Sequence, residues 1–420
     1  MGVALVAGLG LTACGGGSDS DSNTASLRLL NASPGYASLD LYTDDSKRNS
    51  AVGFLAAGDY VSVSSSDSVD TDLKAAGAST ALSSSSRSFS ADTSYTLIAY
   101  GWQGGLKTAV LEENLSAADS SKAKLTVLNL ATDAGTLDVY LTGSDDSLDD
   151  ATATASGVAG GSSAGALTLS SGTYRLRVTA NGDKSDVRLD VNGLTLASTQ
   201  VATLVLTPGS GGVLVHGALA VQKGSITALA NSQARVRVVN GVGSSAKLTA
   251  SAAGVSLISN ATSPAIGSYK LISGSASAAV GFGINGTALA TPTSAALTAG
   301  GDYTLLVWGP ADSPQVTVVS DDNRYPTTTT YAKLRVVHAL PDVADAMTLT
   351  SDYSALISDI AQGTASSWAT LMGGTASQLS VASSTTSYFS SGTDGTTLTA
   401  KGLYTLYVFG PSSTVLRKER

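Results

Sequence analysis

The chain of 420 residues is poor in cysteine, aromatic and charged residues. It contains 1 cysteine, 2 histidines and 3 tryptophans, and only 13% of its residues are charged. A single cysteine excludes internal disulfides and zinc sites built from several thiolates. Lysine and arginine are not clustered and the formal net charge is −8, which argues against a nucleic-acid partner. Any folded domain must therefore be held together by packing alone.

Long apolar runs are missing as well. After residue 25, no run approaches the roughly 18 apolar residues that a membrane-spanning helix needs. The mean hydropathy is nevertheless slightly positive, so the composition is not that of a disordered chain. The length exceeds that of one compact all-β domain, and we expect several domains.

Cys14 ends a short apolar segment and precedes a flexible polar stretch. The run LTAC at residues 11–14 has the form of a lipobox, with small residues before a thiol that can be acylated. The apolar segment is as long as that of a signal peptide and too short to span a bilayer. We therefore predict a signal peptide at residues 1–13, lipidation of Cys14, and a flexible tether over residues 14–24.

The start of this signal lacks the usual positive charge. We therefore expect the true start to lie upstream of Met1, so that the signal peptide is incomplete. The alternative is a buried strand with an incidental cysteine. Cys14 resembles the lipidated cysteine of bacterial lipoproteins, which implies a diacylglyceryl group and a further acyl chain such as palmitate, and several chains anchor stably. Gly15, in place of the Asp that resembles an inner-membrane retention signal, predicts the outer membrane of a Gram-negative bacterium.

One opening sequence recurs four times, at intervals of about 100 residues. Apolar and polar residues alternate in it, as in Leu27, Arg28 and Leu29, which predicts a strand with one buried and one solvated face. The interval is too long for solenoid repeats of roughly 20–50 residues and favours independent domains. We predict an all-β chain of four tandem immunoglobulin-like β-sandwich domains. Their predicted bounds are 25–116, 123–222, 234–322 and 332–420.

The third repeat is the clearest guide to the strands within a domain. Turn residues divide it into seven predicted strands, at 234–241, 246–252, 266–272, 276–284, 294–299, 302–309 and 315–320. The repeats close on a more apolar strand, as at residues 302–309, and its near-continuous apolar run predicts a central strand. The short linkers are predicted at 115–122, 223–233 and 323–331. Helical patterns are scarce, and the best candidate is a short helix at 352–360.

The run RLLNASP at residues 28–34, followed by LDLY at 39–42, resembles the repeated motif of a bacterial family called domain of unknown function 4397. The fourth repeat keeps RVVHA at 335–339 and Pro341, with Leu340 in place of serine. The resemblance covers most of the chain from residue 25 onward. It implies an exported or lipid-anchored envelope protein, and it implies no particular activity.

The two histidines do not form a catalytic group with a serine. His216 and His338 lie in different repeats, and His338 occupies the position of Asn31, Asn129 and Asn240 in the other repeats. A position that accepts Asn or His is expected to cap a turn, and His216 is expected to be structural on a strand. A nucleophilic triad has no support. We predict no enzymatic activity and no cofactor; a triad assembled across domains is the alternative.

Aspartates form three groups that could offer oxygen ligands to calcium. The spacing of these groups differs from that of an EF-hand, and solvated turns are the simpler interpretation. Two further aspartates, Asp40 and Asp138, lie on predicted strands beside tyrosines, and each is expected to hydrogen-bond a neighbouring turn. The three groups are Asp145–Asp146, Asp149–Asp150, and Asp67 with Asp70 and Asp72.

The tryptophans are the last candidates for ligand contact. Trp102 and Trp308 end closing strands and Trp368 lies elsewhere; each could stack on a sugar ring or fill a core. The first hypothesis is a lipid-anchored envelope protein with a structural, adhesive or protein-interaction role. The alternative is a module that binds carbohydrate or another small ligand. The expected partners are the membrane, through Cys14, and an envelope protein or glycan, without any metal or nucleic acid.

Overall fold

The computed structural model describes residues 23–420, so Cys14 and the predicted signal peptide lie outside the described residues. The prediction of an all-β chain is confirmed: within this part, regular structure consists of strands and one 3₁₀ turn, Thr132–Ala134. From residue 23 onward, no helix is long and apolar enough to cross a membrane. The strands form four consecutive groups, which we call units 1 to 4, at residues 24–112, 122–229, 233–320 and 331–418.

Unit 1 consists of two four-stranded sheets, with strand orders β4-β1-β7-β8 and β3-β2-β5-β6. The strands are β1 Thr24–Ala32, β2 Ser38–Thr43, β3 Ser46–Gly53, β4 Val61–Ser64, β5 Ser66–Ala75, β6 Ala81–Phe89, β7 Ser94–Trp102 and β8 Gly105–Glu112. Leu27 and Leu29 of β1 share one hydrophobic core with Leu39 and Leu41 of β2. The two sheets are therefore packed face to face.

Unit 2 has the sheet orders β12-β9-β15-β16-β17 and β11-β10-β13-β14. The strands are β9 Lys122–Asn129, β10 Leu137–Thr142, β11 Ala155–Val158, β12 Ser163–Ser170, β13 Gly172–Ala180, β14 Asp183–Leu196, β15 Val201–Pro208, β16 Val215–Val221 and β17 Ile226–Leu229. Strand β17 falls inside the segment predicted as a linker at 223–233. It pairs with β16 and adds a fifth strand to the first sheet.

Unit 3 has the orders β21-β18-β26-β27, with β22 also on β18, and β20-β19-β23-β24, with β25 also on β23. The strands are β18 Gln233–Val242, β19 Lys247–Ala252, β20 Val255–Thr262, β21 Ala265–Ile266, β22 Lys270–Ser273, β23 Ser275–Ile284, β24 Thr287–Ala288, β25 Ser294–Leu297, β26 Asp302–Gly309 and β27 Gln315–Ser320. The seven predicted strands are present in outline. The sequence interpretation missed β20, which lies mostly exposed at a sheet edge and has little apolar alternation.

Unit 4 has the orders β31-β28-β36-β37 and β30-β29-β33-β34, and β32 pairs with β35. The strands are β28 Tyr331–His338, β29 Met347–Ser351, β30 Ser354–Ile360, β31 Ala369–Met372, β32 Ala376–Ser377, β33 Leu379–Ala382, β34 Ser387–Ser390, β35 Thr396–Thr397, β36 Leu403–Gly410 and β37 Ser413–Lys418. The predicted helix at 352–360 is wrong. Asp352 and Tyr353 form a tight turn with positive φ angles of 48° and 66°, and β30 follows as an edge strand.

The first strand of every unit pairs in parallel with a late strand of the same unit. The pairs are β1 with β7, β9 with β15, β18 with β26, and β28 with β36. All other named pairs within the sheets are antiparallel, as in β1 with β4 and β7 with β8. Such central strands are covered on both faces, which explains the near-continuous apolar runs of β7, β26 and β36. The mixed sheet also distinguishes the units from the antiparallel sheets of antibody domains.

The units pack in pairs through their first sheets. One apolar cluster joins units 1 and 2, and a second joins units 3 and 4; their buried members are Leu30, Ala32, Leu55, Ile98, Leu130, Val205 and Ala218, and Val239, Leu306, Val337, Ala339, Tyr407 and Phe409. The predicted solvated face of the opening strand is therefore wrong. Arg28, Arg237 and Arg335 on that face are only 3%, 0% and 2% exposed, because a second unit covers them.

Candidate functional site

The opening strands of paired units meet at close range. Ala32 of unit 1 and Leu130 of unit 2 occupy equivalent positions and belong to one apolar cluster. The corresponding pair in units 3 and 4 is Gly241 and Ala339. A Cβ atom at Gly241 would lie 2.5 Å from the carbonyl oxygen of Ala339, so this approach requires glycine.

The opening strand of unit 3 also carries a buried arginine, Arg237. Arg237 pairs across the parallel register with Thr304, and its Nε donates to the Thr304 hydroxyl at 2.8 Å. The Thr304 hydroxyl in turn donates to Asp321, which directly follows β27, at 2.6 Å. The Tyr269 hydroxyl donates to the same carboxylate at 2.7 Å, and the Arg237 guanidinium lies 4.5 Å from the Tyr269 ring centre. We call this set, an arginine with a threonine, an aromatic ring and a terminal acid, the arginine clasp.

In units 3 and 4, each clasp arginine forms an ion pair with the acid of the other unit. Arg237 of unit 3 donates to Glu419 of unit 4 at 2.6 Å, and Arg335 of unit 4 donates to Asp321 of unit 3 at 2.6 Å. The side chains of both ion pairs are at most 3% exposed. Reciprocal contacts between equivalent residues are the mark of an approximate two-fold relation between two copies of a fold.

The carboxylates of both pairs stay ionised despite their burial. Burial raises the pKa of Glu419, but Arg237 and the Tyr407 hydroxyl outweigh it and hold that pKa below its usual value. Burial acts on Asp321 in the same direction, and Arg335 and Arg237 again bring the pKa below normal. Paired charges with further hydrogen bonds are the form in which buried ions are tolerated.

Unit 1 has an arginine clasp, but unit 2 has no equivalent one. Arg28 bonds to Thr96 at 2.8 Å and forms an ion pair with Glu113 of its own unit at 3.3 Å. Its remaining donors reach backbone oxygens of unit 2, at Val221 and Gly224. Unit 2 has Thr126 in the arginine position and Gln222 in the position of the acid. It therefore meets the unit 1 clasp with main-chain atoms instead of charges.

Trp368 supplies the aromatic ring of the fourth clasp. It directly precedes the edge strand β31, as Tyr60 precedes β4 and Tyr269 precedes β22. The Arg335 guanidinium lies 4.7 Å from the Trp368 ring centre, and the Arg28 guanidinium lies 4.2 Å from the Tyr60 ring centre. Trp368, which the sequence interpretation left unplaced, is thus the equivalent of Tyr60 and Tyr269.

The other two tryptophans lie at contacts between units. The Trp102 indole N–H donates to Asp133 of unit 2 at 2.7 Å, and the Arg324 guanidinium lies 4.5 Å from the Trp102 ring centre. Trp308 packs on Gly363 of unit 4, where a Cβ atom would lie 2.0 Å from the ring. All three rings are half-buried. Trp102 and Trp308 connect neighbouring units instead of lining an open groove.

His338 caps a turn, as its position predicts. Its Nε2 lies 3.2 Å from the carbonyl oxygen of Asp345, while its Nδ1 is buried without a partner in the part of the chain that the structure describes. At the same position, the Asn129 amide donates to the carbonyl oxygens of Gly135 and Val158 at 3.0 and 2.9 Å. An asparagine satisfies this turn more completely than a histidine does.

His216 lies on strand β16, also as predicted, at a contact between units. Its Nδ1 accepts a hydrogen bond from the Asn231 backbone N–H at 3.0 Å, and its ring meets Phe54 of unit 1 edge to face. Burial lowers its pKa to about 4, so the ring is neutral at pH 7. The structure does not bring His216 and His338 together, since they lie in units 2 and 4.

The prediction for Asp40 and Asp138 is confirmed, because both hold turns. Asp138 accepts from Ser156 and Asn181 side chains and from the Gly157 and Gly182 backbone, each at 2.8 Å. Burial raises the pKa of Asp138, but these bonds outweigh it and keep the pKa below normal.

Asp40 accepts from the Ala51 backbone at 2.7 Å and from Lys47 at 2.6 Å.

The acidic loops, unlike Asp40 and Asp138, lie at the surface. Asp70 and Asp72 line an open cavity of about 350 Å³ with Asp44 and Asp45. Across residues 23–420, no group of three or more histidine, cysteine, aspartate or glutamate side chains has the arrangement of a metal site.

The clasp arginines are the residues that sequence reasoning did not identify. A signal was present, since three repeats carry Arg at one position, a Tyr-Thr-Leu run in the closing strand and an acid after the last strand. The alternation of the opening strand hid this signal, because a polar residue between apolar ones is ordinarily solvated.

The fold and these contacts define a chain of tandem all-β repeats that pack on one another. A family model described as "Domain of unknown function (DUF4397)" matches residues 25–140 and 234–345, together more than half of the chain. The chain therefore belongs to this family, as the resemblance predicts. Each match spans one unit and extends through the first strand of the next. A search of curated proteins finds no match.

Proposed function

We propose that this chain is an exported, lipid-anchored protein of the bacterial cell envelope with a structural, adhesive or protein-interaction role. In this proposal the four units are four sandwich domains of immunoglobulin-like architecture with a mixed first sheet. The observation that supports this role is that the buried charged and large aromatic side chains are used to join the units. The clasp arginines, their acids, Trp102 and Trp308 are all engaged in contacts between units, so that neighbouring units are joined to one another.

The proposal includes no catalytic activity. His216 accepts a hydrogen bond from a backbone amide, and His338 contacts a backbone carbonyl within its own turn. A general base needs to reach a substrate proton with a free nitrogen. Hydrolysis of ester, peptide or glycoside substrates by the purified chain, abolished in His216→Gln, would contradict this part of the proposal.

Membrane attachment through Cys14 is supported by the lipobox at residues 11–14. Metabolic labelling of cells with a palmitate analogue, from a gene that includes the true start, is expected to tag the wild-type chain. Cys14→Ser is expected to lose the label, whereas the neighbouring Ser18→Ala keeps it. Labelling that persists in Cys14→Ser would refute the lipid anchor.

Attachment to the outer membrane is the second element of the proposal, and Gly15 supports it. Fractionation of the two membranes is expected to recover the chain with outer-membrane markers, and Gly15→Asp is expected to shift it toward the inner membrane. Surface protease on intact cells then separates an external from a periplasmic orientation. Recovery of the wild type with inner-membrane markers would overturn the localisation.

Carbohydrate binding is the alternative, and one exposed ring favours it. Tyr353 is 87% exposed at the tip of the β29–β30 turn, where its positive φ of 66° is unusual for an aromatic residue. An exposed ring on a rigid turn can stack on a sugar. A glycan array should then show binding that Tyr353→Ala removes and the junction variant Trp308→Phe retains. An array without binding would leave the structural role in place and exclude this alternative.

A further inference from the structure

A cavity of about 330 Å³ lies where units 2, 3 and 4 meet. Unit 2 contributes residues 185–187 of β14, unit 3 contributes Arg235 and residues 269–271, and unit 4 contributes Arg417 and Glu419. The cavity is at the lower end of the size range of small-molecule sites, which is about 300–1,000 Å³. Its walls come from three units, so it exists only when these units are assembled.

The two acids of this cavity are already neutralised. Asp186 accepts two bonds from Arg188, at 2.7 and 2.5 Å, through Nε and Nη2. Glu419 accepts from Arg237 at 2.6 Å and from the Tyr407 hydroxyl at 2.8 Å. Arg188, Arg237 and Tyr407, which make these hydrogen bonds, do not line the cavity.

The three cations of the cavity are held more weakly. Arg417 makes two long contacts, at 3.4 Å to the Gly267 carbonyl oxygen and at 3.6 Å to Glu419. Arg235 reaches Asp302 at 3.3 Å with one of its five N–H donors. Lys270 donates to a single backbone oxygen at 2.7 Å. Donors of three positive groups therefore remain available beside acids that are already paired.

We propose that this cavity binds a small anion that carries a carboxylate or phosphate group, held by Arg235, Lys270 and Arg417. Guanidinium groups match both kinds of oxyanion through paired N–H donors, and a lysine adds a point charge. Because the three cations belong to two units and the floor to a third, the ligand joins units 2, 3 and 4. Binding therefore stabilises the assembled arrangement. This site goes beyond the proposed envelope role and does not rest on it.

Calorimetric titration of the full chain in detergent at low salt tests the site. The probes are inorganic phosphate, glucuronate as a carboxylate, and glucose as a neutral match for glucuronate. Arg417→Gln and Lys270→Gln are each expected to weaken binding of the anion at least tenfold, as loss of a charge-assisted hydrogen bond requires. Lys247→Gln removes an exposed charge elsewhere on unit 3 and is expected to change the affinity less than twofold.

The pattern of binding assigns the anion. Saturable binding of phosphate alone, of glucuronate alone or of both supports the site and identifies the group that it accepts. Lack of binding by either anion overturns the proposal. Binding that glucose matches, or that Arg417→Gln and Lys270→Gln leave as strong as in Lys247→Gln, overturns it too. Lys270 is exposed, so Lys270→Gln remains informative if Arg417→Gln does not fold.

Discussion

Replacement of Arg237 by methionine tests whether the reciprocal ion pairs hold units 3 and 4 together. The apolar stem of the side chain is kept, but Glu419 retains its charge with only the Tyr407 hydroxyl at 2.8 Å and Arg417 at 3.6 Å. Removal of one partner from a buried pair costs about 3–5 kcal/mol, because the other charge stays buried. The exposed fractions of 0% and 3% place this pair in that range. Since Glu419 keeps two contacts, we expect a loss of about 3 kcal/mol in the free energy of unfolding.

Urea titration of the full chain, followed by tryptophan fluorescence, measures this loss, since Trp308 of unit 3 contacts unit 4 and Trp368 lies against Arg335 of the second ion pair. The matched control is Arg175→Met, whose ion pair with Asp190 is 29% and 26% exposed. Exposed pairs contribute about 0–1 kcal/mol, so a small change is expected there. The double variant Arg237→Met with Glu419→Gln should recover part of the loss, because no uncompensated charge remains.

Two results would refute this reasoning. The first is a loss in Arg237→Met that is no larger than the loss in Arg175→Met. The second is a double variant whose loss equals the sum of the losses in Arg237→Met and Glu419→Gln, since two coupled charges cannot give additive effects.

Three further predictions concern single residues. Burial lowers the pKa of His216 to about 4, so as the pH falls from about 6.5 toward 4 the unfolded chain gains a proton that the folded chain does not. The free energy of unfolding should therefore fall from its value at neutral pH by about 3 kcal/mol over this range. Urea titrations of His216→Gln should show a smaller loss over the same range. Gly363→Ala should destabilise the contact with Trp308 by about 1–3 kcal/mol and shift the tryptophan fluorescence, because the added Cβ would lie 2.0 Å from the ring. In the control Gly374→Ala, the added Cβ meets no atom within 4 Å, and the fluorescence should be unchanged. Asp138→Ala leaves four hydrogen-bond donors without their acceptor and should lower the thermal midpoint followed by circular dichroism, with a cost of about 2 kcal/mol or more and a smaller loss in Asp138→Asn.

The strands that carry a regular apolar pattern could be predicted from the sequence. The opening strand at 24–32 and the closing strand at 302–309 are both present, because burial of their apolar faces dominates the local choice of structure. Edge strands could not be predicted as well. Strand β30 was expected to be helical, since an exposed edge strand has no buried face that would impose a period of two.

The site could be predicted only in part. Asp138 and His338 were assigned correctly to turns, because a short polar side chain next to a turn has few other partners. Arg237 was assigned to the solvated face, because the period of a strand shows which residues share a side and gives no information on what covers that side. Contacts between repeats depend on how two complete units pack, and the internal pattern of one unit does not encode that packing.

The parallel pairing of the first strand with a late one has a consequence for folding. In unit 1, Arg28 and Thr96 are 68 residues apart in the chain and adjacent in the sheet. The strand made first in each unit therefore cannot take its central place until nearly the whole unit is available. The entropy cost of closing such a long loop comes before the stabilising contacts form. Each unit should therefore fold slowly, after most of it has been synthesised. During synthesis, the opening strand of each unit therefore waits for its parallel partner until the late strand has been made.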